Sequence, residues 1–240
     1  RNEVADITLR TKSPIAFDLY GDFEISGRFV LVDEYDVSGG GIVTELVQDE
    51  QEGLRHEARE RDSAWVKGDV GPEERSQHYG HRAAVVLFTG PDMTAKSFLA
   101  RKLEAMLVAE GRHAYLLDAE NLRRGLDADL SEANPGEIVR RYGEVARLLT
   151  DTGLLIISTT NSFSLPTSQI IQAIQTLVNP TPVVTIHMAK ETQNLQEEMD
   201  LIFAGPEDFD GCSHQILDLL KSKGILAEAQ GSLPQFQYSI

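Results

Sequence analysis

The chain contains a run of six residues, Ala84–Thr89, that is apolar up to its last member and is followed at once by a glycine. An apolar run of this length predicts a strand that is buried on both faces of a sheet. Further short strand signals alternate with amphipathic helix signals. The strand signals lie at 113–118, 154–159, 183–188 and 201–203, and the helix signals at 97–110, 137–151, 168–178 and 214–222. This alternation predicts an α/β fold with a mostly parallel sheet and helices on both faces.

The loop after Thr89 has the spacing of a phosphate-binding loop. Residues 90–97 read Gly-Pro-Asp-Met-Thr-Ala-Lys-Ser, which fits G-x-x-x-x-G-K-[ST] except that Ala95 replaces the second glycine. In such loops the backbone N–H groups cradle phosphates, the lysine contacts the β- and γ-phosphates, and the hydroxyl binds Mg²⁺. The motif therefore predicts a P-loop NTPase-type fold, although a chance Lys-Ser pair would explain the loop taken alone. The predicted nucleotide-binding residues are Gly90, Thr94, Lys96 and Ser97, and Ser97 is also the predicted Mg²⁺ ligand.

Residues 1–47 have the character of β structure. Strand signals lie at 4–9, 28–32 and 42–47, with a predicted turn at 33–38 and three glycines at 39–41. Three strands are few for an independent domain. We therefore interpret this segment as the last strands of a β-barrel. Because the chain lacks an initiator methionine, we expect it to be a fragment of a longer protein.

Residues 48–80 are polar and mixed in charge, which predicts a solvated linker that is partly helical. A helix start is predicted at Pro72, since proline and acidic residues are common in the first turn. Trp65 either anchors an interdomain contact or is an ordinary exposed aromatic residue. The predicted domains are therefore a barrel segment at 1–47, a linker at 48–80 and a P-loop domain at 81–240.

Charge and cysteine content argue against several kinds of partner. The formal net charge is -16 and the pI about 4.7, which disfavours duplex nucleic acid because phosphate binding needs clustered Lys and Arg. No apolar run approaches the roughly 20 residues of a membrane helix. The single cysteine, Cys212, cannot form an internal disulfide and fits a reducing cytosol. The composition thus predicts a cytoplasmic protein that binds neither nucleic acid nor membrane.

Several stretches resemble adenylylsulfate (APS) kinases. They are Gly80-His81-Arg82, Gly90, Leu-Asp-Ala-Glu-Asn-Leu-Arg-Arg-Gly-Leu at 117–126, Arg-Arg-Tyr-Gly-Glu-Val-Ala at 140–146 and Asp-Thr-Gly-Leu at 151–154. The stretches at 8–11, 27–31 and 40–43 resemble the end of the elongation-factor-like third domain of the sulfate adenylyltransferase large subunit. In bifunctional sulfate-activating proteins that subunit is fused to the kinase. The resemblance implies phosphate transfer from ATP to APS, giving ADP and 3′-phosphoadenylylsulfate.

The resemblance also implies roles for individual residues. Asp118 and Glu120 fall in the motif that carries the family's catalytic base. Arg123 and Ser162 fall on positions that contact the sulfonucleotide. The implied ligands are Mg-ATP and adenylylsulfate, and the implied partners are the upstream GTPase domains of the parent chain. A homo-oligomer is left open.

The loop departs from the family pattern G-L-S-G-A-G-K-S. Met93 and Ala95 replace two glycines, and Pro91 lacks a backbone N–H. Asp92 adds a carboxylate where phosphate oxygens would lie, and two unit charges about 4 Å apart repel by roughly 4 kcal/mol at an effective dielectric constant near 20. Glu120 is one methylene longer than the usual aspartate, and a shift of about 1 Å can reduce a rate on the order of a hundredfold. These changes predict a weakened ATP site.

The second substrate's site also departs from the family. Pro135 and Ile138 stand where the family has a sulfonucleotide-binding Arg and Asn, and Phe163 and Leu165 replace a Pro and an Arg. The basic lid expected after the fourth strand is absent or cut short, because the next strand signal follows quickly at 201–203. The polar residues Thr160, Asn161, Ser162 and Ser164 form either a ligand edge of the sheet or an ordinary turn.

Two main hypotheses follow. We prefer a catalytically degraded kinase-like domain with a structural or regulatory role in a sulfate-activation protein. The alternative is a working APS kinase, or a P-loop kinase with an altered substrate, as Lys96, Ser97, Asp118 and Arg123 indicate. A dimerising module that binds no small ligand is a third interpretation. The sequence leaves open whether the chain is an enzyme and whether its cofactor is Mg-ATP or none.

Overall fold

The computed structural model describes residues 4–7, 9, 15–33, 36–46, 52–130, 134–189, 199–204 and 208–227. They divide into two compact units, Arg1–Glu52 and Gly53–Ile240. None of the described helices is both long enough and apolar enough to cross a membrane.

The first unit contains a two-stranded antiparallel hairpin. Strand β1 (Arg28–Asp33) pairs with β2 (Asp36–Ile42), with Arg28 opposite Ile42. The strand predicted at 42–47 is therefore wrong, since the glycines at 39–41 lie inside β2 rather than before it. They fit there because a Cβ on Gly41 would lie 2.7 Å from Cζ of Phe29, whose ring covers this part of β2. The described residues of the predicted strand at 4–9 are in no strand, and the barrel assignment stays a prediction.

The second unit is built on a five-stranded sheet in the order β4-β5-β3-β6-β7, in which every neighbouring pair is parallel. This confirms the predicted α/β class with a P-loop NTPase-type sheet. The strands are β3 (Ala84–Thr89), β4 (Ala114–Leu116), β5 (Leu155–Thr159), β6 (Val183–Met188) and β7 (Leu201–Phe203). The helices are α1 (Glu52–Ser63), α2 (Pro72–Tyr79), α3 (Met93–Ala109), α4 (Ala119–Arg123), α5 (Pro135–Asp151), α6 (Thr167–Val178) and α7 (Phe209–Ser222).

Both faces of the central strand β3 are buried, as its apolar run predicts. Val86 and Phe88 pack with residues of α3 and α7 on one face. Val85 and Leu87 pack with residues of α5 and α6 on the other. Because side chains alternate along a strand, a strand covered on both faces is apolar at most positions, and in β3 only Thr89 is polar.

The charged segment after residue 51 folds into the second unit. Ala58 of α1 is buried, and Leu54 packs against the α5–α6 side of the core. Arg61 donates to Oε2 of Glu144 at 2.8 Å and to the backbone carbonyl of Leu177 at 2.8 Å. The structure thus places α1 with the P-loop unit instead of in a solvated linker, because the charges that favoured a linker are partly used in contacts with α5 and α6. The predicted helix start at Pro72 is confirmed by α2.

Candidate functional site

Three parallel strands end at one edge of the sheet and bring the phosphate loop, residues 160–162 and His187 to that edge. Gly90 follows β3 with a φ of +103°, and a Cβ there would lie 2.2 Å from the carbonyl oxygen of Met188. Only glycine fits both this left-handed conformation and this close approach. The tight turn after β3 is therefore a property of Gly90.

The loop itself is short, because α3 begins at Met93, four residues before the predicted start at Ser97. The carboxylate of Asp92 is the N-cap and accepts a hydrogen bond from the backbone N–H of Ala95 at 2.9 Å. The backbone N–H of Lys96 donates to the carbonyl of Asp92 at 3.1 Å. Aspartate is among the best N-cap residues, and non-glycine residues at 93 and 95 favour helix over an open loop. A capped helical turn thus stands where a phosphate-binding loop would present free N–H groups.

The Lys96 side chain lies behind this turn and is only 3% exposed. Its ammonium donates to the carbonyl of Gly90 at 2.5 Å and to Oγ1 of Thr160 at 3.2 Å. Burial lowers the pKa of Lys96, and the negative charge of Asp92 opposes that shift. No described carboxylate lies within ion-pair distance of the ammonium. The lysine is therefore a buried cation held by neutral acceptors.

Asn161, a member of the predicted polar cluster, contacts the first turns of α3. Its Nδ2 donates to Oγ of Ser97 at 2.8 Å and to the carbonyl of Met93 at 3.1 Å. Sequence reasoning did not assign Asn161 a role, although a polar residue directly after a central strand was a usable signal. Ser162 is half-buried, and none of the described hydrogen bonds joins it to the loop.

A second pair of residues that the sequence did not indicate lies at the same edge. Oγ1 of Thr89 lies 2.9 Å from Nδ1 of His187, and both residues are buried. Burial lowers the pKa of His187, and the nearby positive charge of Lys96 lowers it further. A neutral imidazole next to the buried ammonium follows from this arrangement.

Three of the predicted catalytic and substrate residues, Asp118, Glu120 and Arg123, lie together at α4 shortly after β4, whereas Ser162 follows β5. Asp118 is the N-cap of α4 and accepts from the backbone N–H of Glu120 at 2.9 Å. Glu120 is exposed and lies 3.8 Å from Arg124. Arg123 is half-buried, and its Nε has no hydrogen-bond partner in the described part of the chain. Both acidic groups are thus on one short helix, with Asp118 engaged in its cap; their catalytic roles stay predictions.

Three of the four apolar residues that replace the family's sulfonucleotide contacts are buried or pack against the core. Phe163 lies edge-on to Tyr142, with ring centroids 5.1 Å apart and an interplanar angle of 82°. Phe163 and Leu165 both pack against the α5–α6 side of the core. Ile138 is buried in α5, and Pro135 is the first residue of that helix. The lid prediction falls largely on residues 190–198, which lie outside the described residues.

The residues at this edge do not fit a Mg²⁺-nucleotide as they are arranged. The Asp92 carboxylate already uses an N–H group that phosphate would need, and the Asn161 amide already donates to the hydroxyl that would bind Mg²⁺. In the described part of the chain, no group of three or more His, Cys, Asp and Glu could hold a metal ion.

Comparison with known proteins relates the second unit to sulfate activation. Residues 82–200 match the family model described as adenylylsulphate kinase. The bifunctional enzyme NodQ of Rhizobium sp. (strain N33) is 38% identical over 160 residues, which are 65% of this chain and 23% of NodQ. The adenylyl-sulfate kinase of Shewanella amazonensis is 39% identical over 127 residues, which are 52% of this chain and 63% of that enzyme. The chain thus spans about a quarter of the length of its NodQ relative.

Solved structures agree with this relationship. The Mycobacterium tuberculosis APS kinase CysC in complex with AMPPNP and APS has a TM-score of 0.51 and 25% identity, covering 59% of this chain and 99% of CysC. The hexameric APS kinase from Thiobacillus denitrificans has a TM-score of 0.52 and 27% identity, covering 80% of this chain and 40% of that chain. Together the comparisons support an APS kinase domain in this part of the chain.

Proposed function

We propose that the APS kinase domain of this chain no longer carries out efficient phosphoryl transfer and serves a structural or regulatory role in a sulfate-activation protein. The observation that carries the proposal is the start of α3 at Met93, capped by Asp92. A P-loop binds phosphate through free N–H groups of an open loop. A capped helical turn leaves fewer of them available, and places a carboxylate beside them.

The packing of the second substrate's region supports the same proposal. Phe163 is in contact with Tyr142, and Ile138 is buried. A sulfonucleotide carries sulfate and phosphate groups, which need polar and cationic partners. Apolar side chains that pack against one another provide no such polar or cationic partner.

The engagement of Asp118 is a third supporting observation. Its carboxylate caps α4 through the N–H of Glu120. That hydrogen bond holds one carboxylate oxygen against the N-terminus of the helix. A general base also has to face the proton that it removes, and the alternative carboxylate, Glu120, is exposed beside Arg124.

A working APS kinase is the second candidate, and one observation favours it. The ammonium of Lys96 is buried without a described carboxylate partner, and a buried unpaired cation favours an anionic ligand. On this reading the loop rearranges when Mg-ATP binds, Ser97 binds Mg²⁺, and Arg123 contacts adenylylsulfate. A kinase with another substrate would use the same lysine.

The first unit is proposed to be the end of an elongation-factor-like barrel in a longer cytoplasmic protein, with upstream GTPase domains as its partners. The support is the exposure of apolar side chains on both strands of the hairpin, such as Val30, Val32 and Val37. A two-stranded hairpin is only marginally stable by itself. The bifunctional name of the NodQ relatives agrees with this arrangement.

A coupled kinase assay with ATP and APS, combined with thermal unfolding in millimolar Mg-ATP, tests the proposal. We expect no turnover above that of Lys96→Ala and little change in melting temperature, because a ligand stabilises only a fold that binds it. Turnover at a rate ordinary for kinases that Lys96→Ala abolishes would establish the second candidate instead.

A further inference from the structure

We infer that Asp92 and Asn161 are internal occupants of the nucleotide site: the Asp92 carboxylate stands in for a phosphate oxygen, and the Asn161 amide holds the hydroxyl of Ser97. On this inference, these two side chains prevent the binding of nucleotide phosphate more than the loss of the two glycines does. The inference rests on the proposed loss of kinase function and names its cause within the site.

The Asp92 carboxylate already occupies a backbone donor at the N-terminus of α3. Its Oδ1 accepts the N–H of Ala95 at 2.9 Å, at the positive end of α3. The same N–H groups and the same end of the helix dipole attract phosphate in nucleotide-binding proteins. An anion arriving there has to displace a carboxylate that is covalently part of the loop. It is also repelled by that carboxylate if it binds nearby.

The two residues that replace the loop glycines do not themselves fill the edge where phosphate would bind. Ala95 is 4% exposed and belongs to the core cluster with Leu99 and Leu103. Its methyl group therefore points into the core and away from the edge where phosphate would bind. Met93 is 58% exposed, so its side chain is not packed into the site. The substitutions favour the helical turn, but the group that accepts the N–H of Ala95 is the Asp92 carboxylate.

The Asn161 amide bonds to both the backbone and a side chain at the start of α3. The carbonyl of Met93 can only accept a hydrogen bond, so the amide has to present Nδ2 to it. The same Nδ2 donates to Oγ of Ser97 at 2.8 Å. That bond occupies one of the two lone pairs of the hydroxyl oxygen, and it fixes the orientation of the group that would bind Mg²⁺. It also ties the end of β5 to the first turn of α3, so the closed turn is held from both sides.

The ammonium of Lys96 would remain in the site if the Asp92 carboxylate were removed. The Lys96 ammonium is buried and bonded to Gly90 and Thr160, both neutral acceptors. Removing the Asp92 carboxylate leaves this charge and the N–H groups of the first turn with no anion. An incoming phosphate then has both kinds of partner that phosphate sites provide. Opening the turn should therefore produce binding and not simply an empty loop.

The experiment compares wild type with Asp92→Gly and Asp92→Gly/Asn161→Ala, using inorganic pyrophosphate and Mg-ADP as probes in isothermal titration calorimetry. Glycine removes the cap with only a small loss of helix stability. Asp92→Asn keeps a cap but removes the charge. Asp208→Gly is the matched control, because Asp208 caps α7 in the same way by accepting from the N–H of Gly211 at 3.0 Å.

We expect Asp92→Gly to bind pyrophosphate about tenfold or more tighter than wild type, the change that ~1.4 kcal/mol of removed repulsion corresponds to. The double variant should gain further with Mg-ADP, and adding Lys96→Ala should abolish the gain. Asp208→Gly should bind like wild type. Cooperative melting of Asp92→Gly close to that of Asp208→Gly establishes that the variant is folded.

Equal, weak binding by wild type and both opened variants, all folded, would overturn the inference and leave the proposed loss of kinase function standing. A gain that persists without Lys96 would also overturn it, because the anion would then bind elsewhere. Wild-type turnover of ATP and APS would contradict the proposed function itself, whatever the variants do. A gain in binding without turnover supports both.

Discussion

The guanidinium carbon of Arg147 lies 4.5 Å from the centroid of the Trp65 ring. Arg61 approaches the same ring at 5.9 Å and also bonds to Glu144. Two arginines from different helices therefore meet on one indole, which joins the segment after α1 to α5 within the second unit. This relationship explains why a stretch so rich in charge packs as part of the domain.

Replacing Trp65 should weaken that attachment. We expect Trp65→Ala to lower the free energy of unfolding by about 1–2 kcal/mol, the size of a partly buried cation–π contact with its packing. Trp65→Phe should retain part of it, and Val66→Ala, at a residue that is 91% exposed, should have almost no effect. Urea unfolding followed by circular dichroism measures the difference. Equal stability for Trp65→Ala and Val66→Ala would mean that the indole does not contribute to the free energy of unfolding.

Gly90 should tolerate no side chain. A Cβ at this position would lie 2.2 Å from the carbonyl oxygen of Met188, so we expect Gly90→Ala to reduce stability by about 3 kcal/mol or more. Gly111→Ala is the matched control, since Gly111 has a φ of +76° but no atom within 4 Å of its Cβ, and it should lose only about 1 kcal/mol. Thermal denaturation of both variants checks this, and similar losses would show that contact with Met188 is unimportant.

Stability should fall in mild acid because of His81. Its ring is buried, Nε2 accepts from the backbone N–H of His113 at 3.0 Å, and burial lowers its pKa to about 4 from 6.5. The unfolded chain therefore binds the proton more readily. The free energy of unfolding should be highest above pH 6.5 and decrease as the pH falls towards 4, by at most ~1.4 kcal/mol per pH unit.

His81→Gln provides the test of that pH dependence. Glutamine can still accept a hydrogen bond but does not titrate, so the decrease between pH 6.5 and 4 should become smaller. His214→Gln, at an exposed residue on α7, should leave it unchanged. Chemical denaturation at several pH values is the measurement, and an unchanged slope in His81→Gln would assign the acid sensitivity to other groups.

Phe163 should contribute to stability rather than to substrate binding. Its ring packs edge-on against the buried ring of Tyr142, so we expect Phe163→Ala to reduce stability by about 1–2 kcal/mol. Leu126→Ala, at a residue that is 52% exposed, should change it by about 0.5 kcal/mol or less. If Phe163→Ala is as stable as Leu126→Ala, the ring of Phe163 contributes little to packing. The proposed function would then lose the support that it draws from this region.

Much of the fold was predictable from local pattern. The apolar run at 84–89 and the strand signals at 183–188 and 201–203 correspond to β3, β6 and β7 with unchanged bounds. A strand covered on both faces is mostly apolar along its length, so its signal is strong. In the hairpin, by contrast, the glycines at 39–41 gave a turn signal inside β2, because glycine marks both a turn and a place where another side chain covers the backbone.

The sequence indicated candidate residues for the site but not the contacts that they make. The spacing from Gly90 to Ser97 and the motif around Asp118 identify the residues that a P-loop kinase would use. That the helix starts at Met93, that Asp92 caps it and that Asn161 reaches Ser97 depend on how β3, β5 and α3 meet. Such contacts join residues far apart in sequence, which no local pattern records.

In the second unit, the alternation of strands and helices along the chain, the resemblance to APS kinases and the chemical identity of the groups at the loop can be recognised from the sequence alone. Which of those groups are bonded to one another depends on the tertiary structure. Propensity and hydrophobic period are properties of neighbours along the chain. The hydrogen bond between Asn161 and Ser97 and the burial of Lys96 are properties of neighbours in space, and they exist only once the sheet has brought its strand ends together.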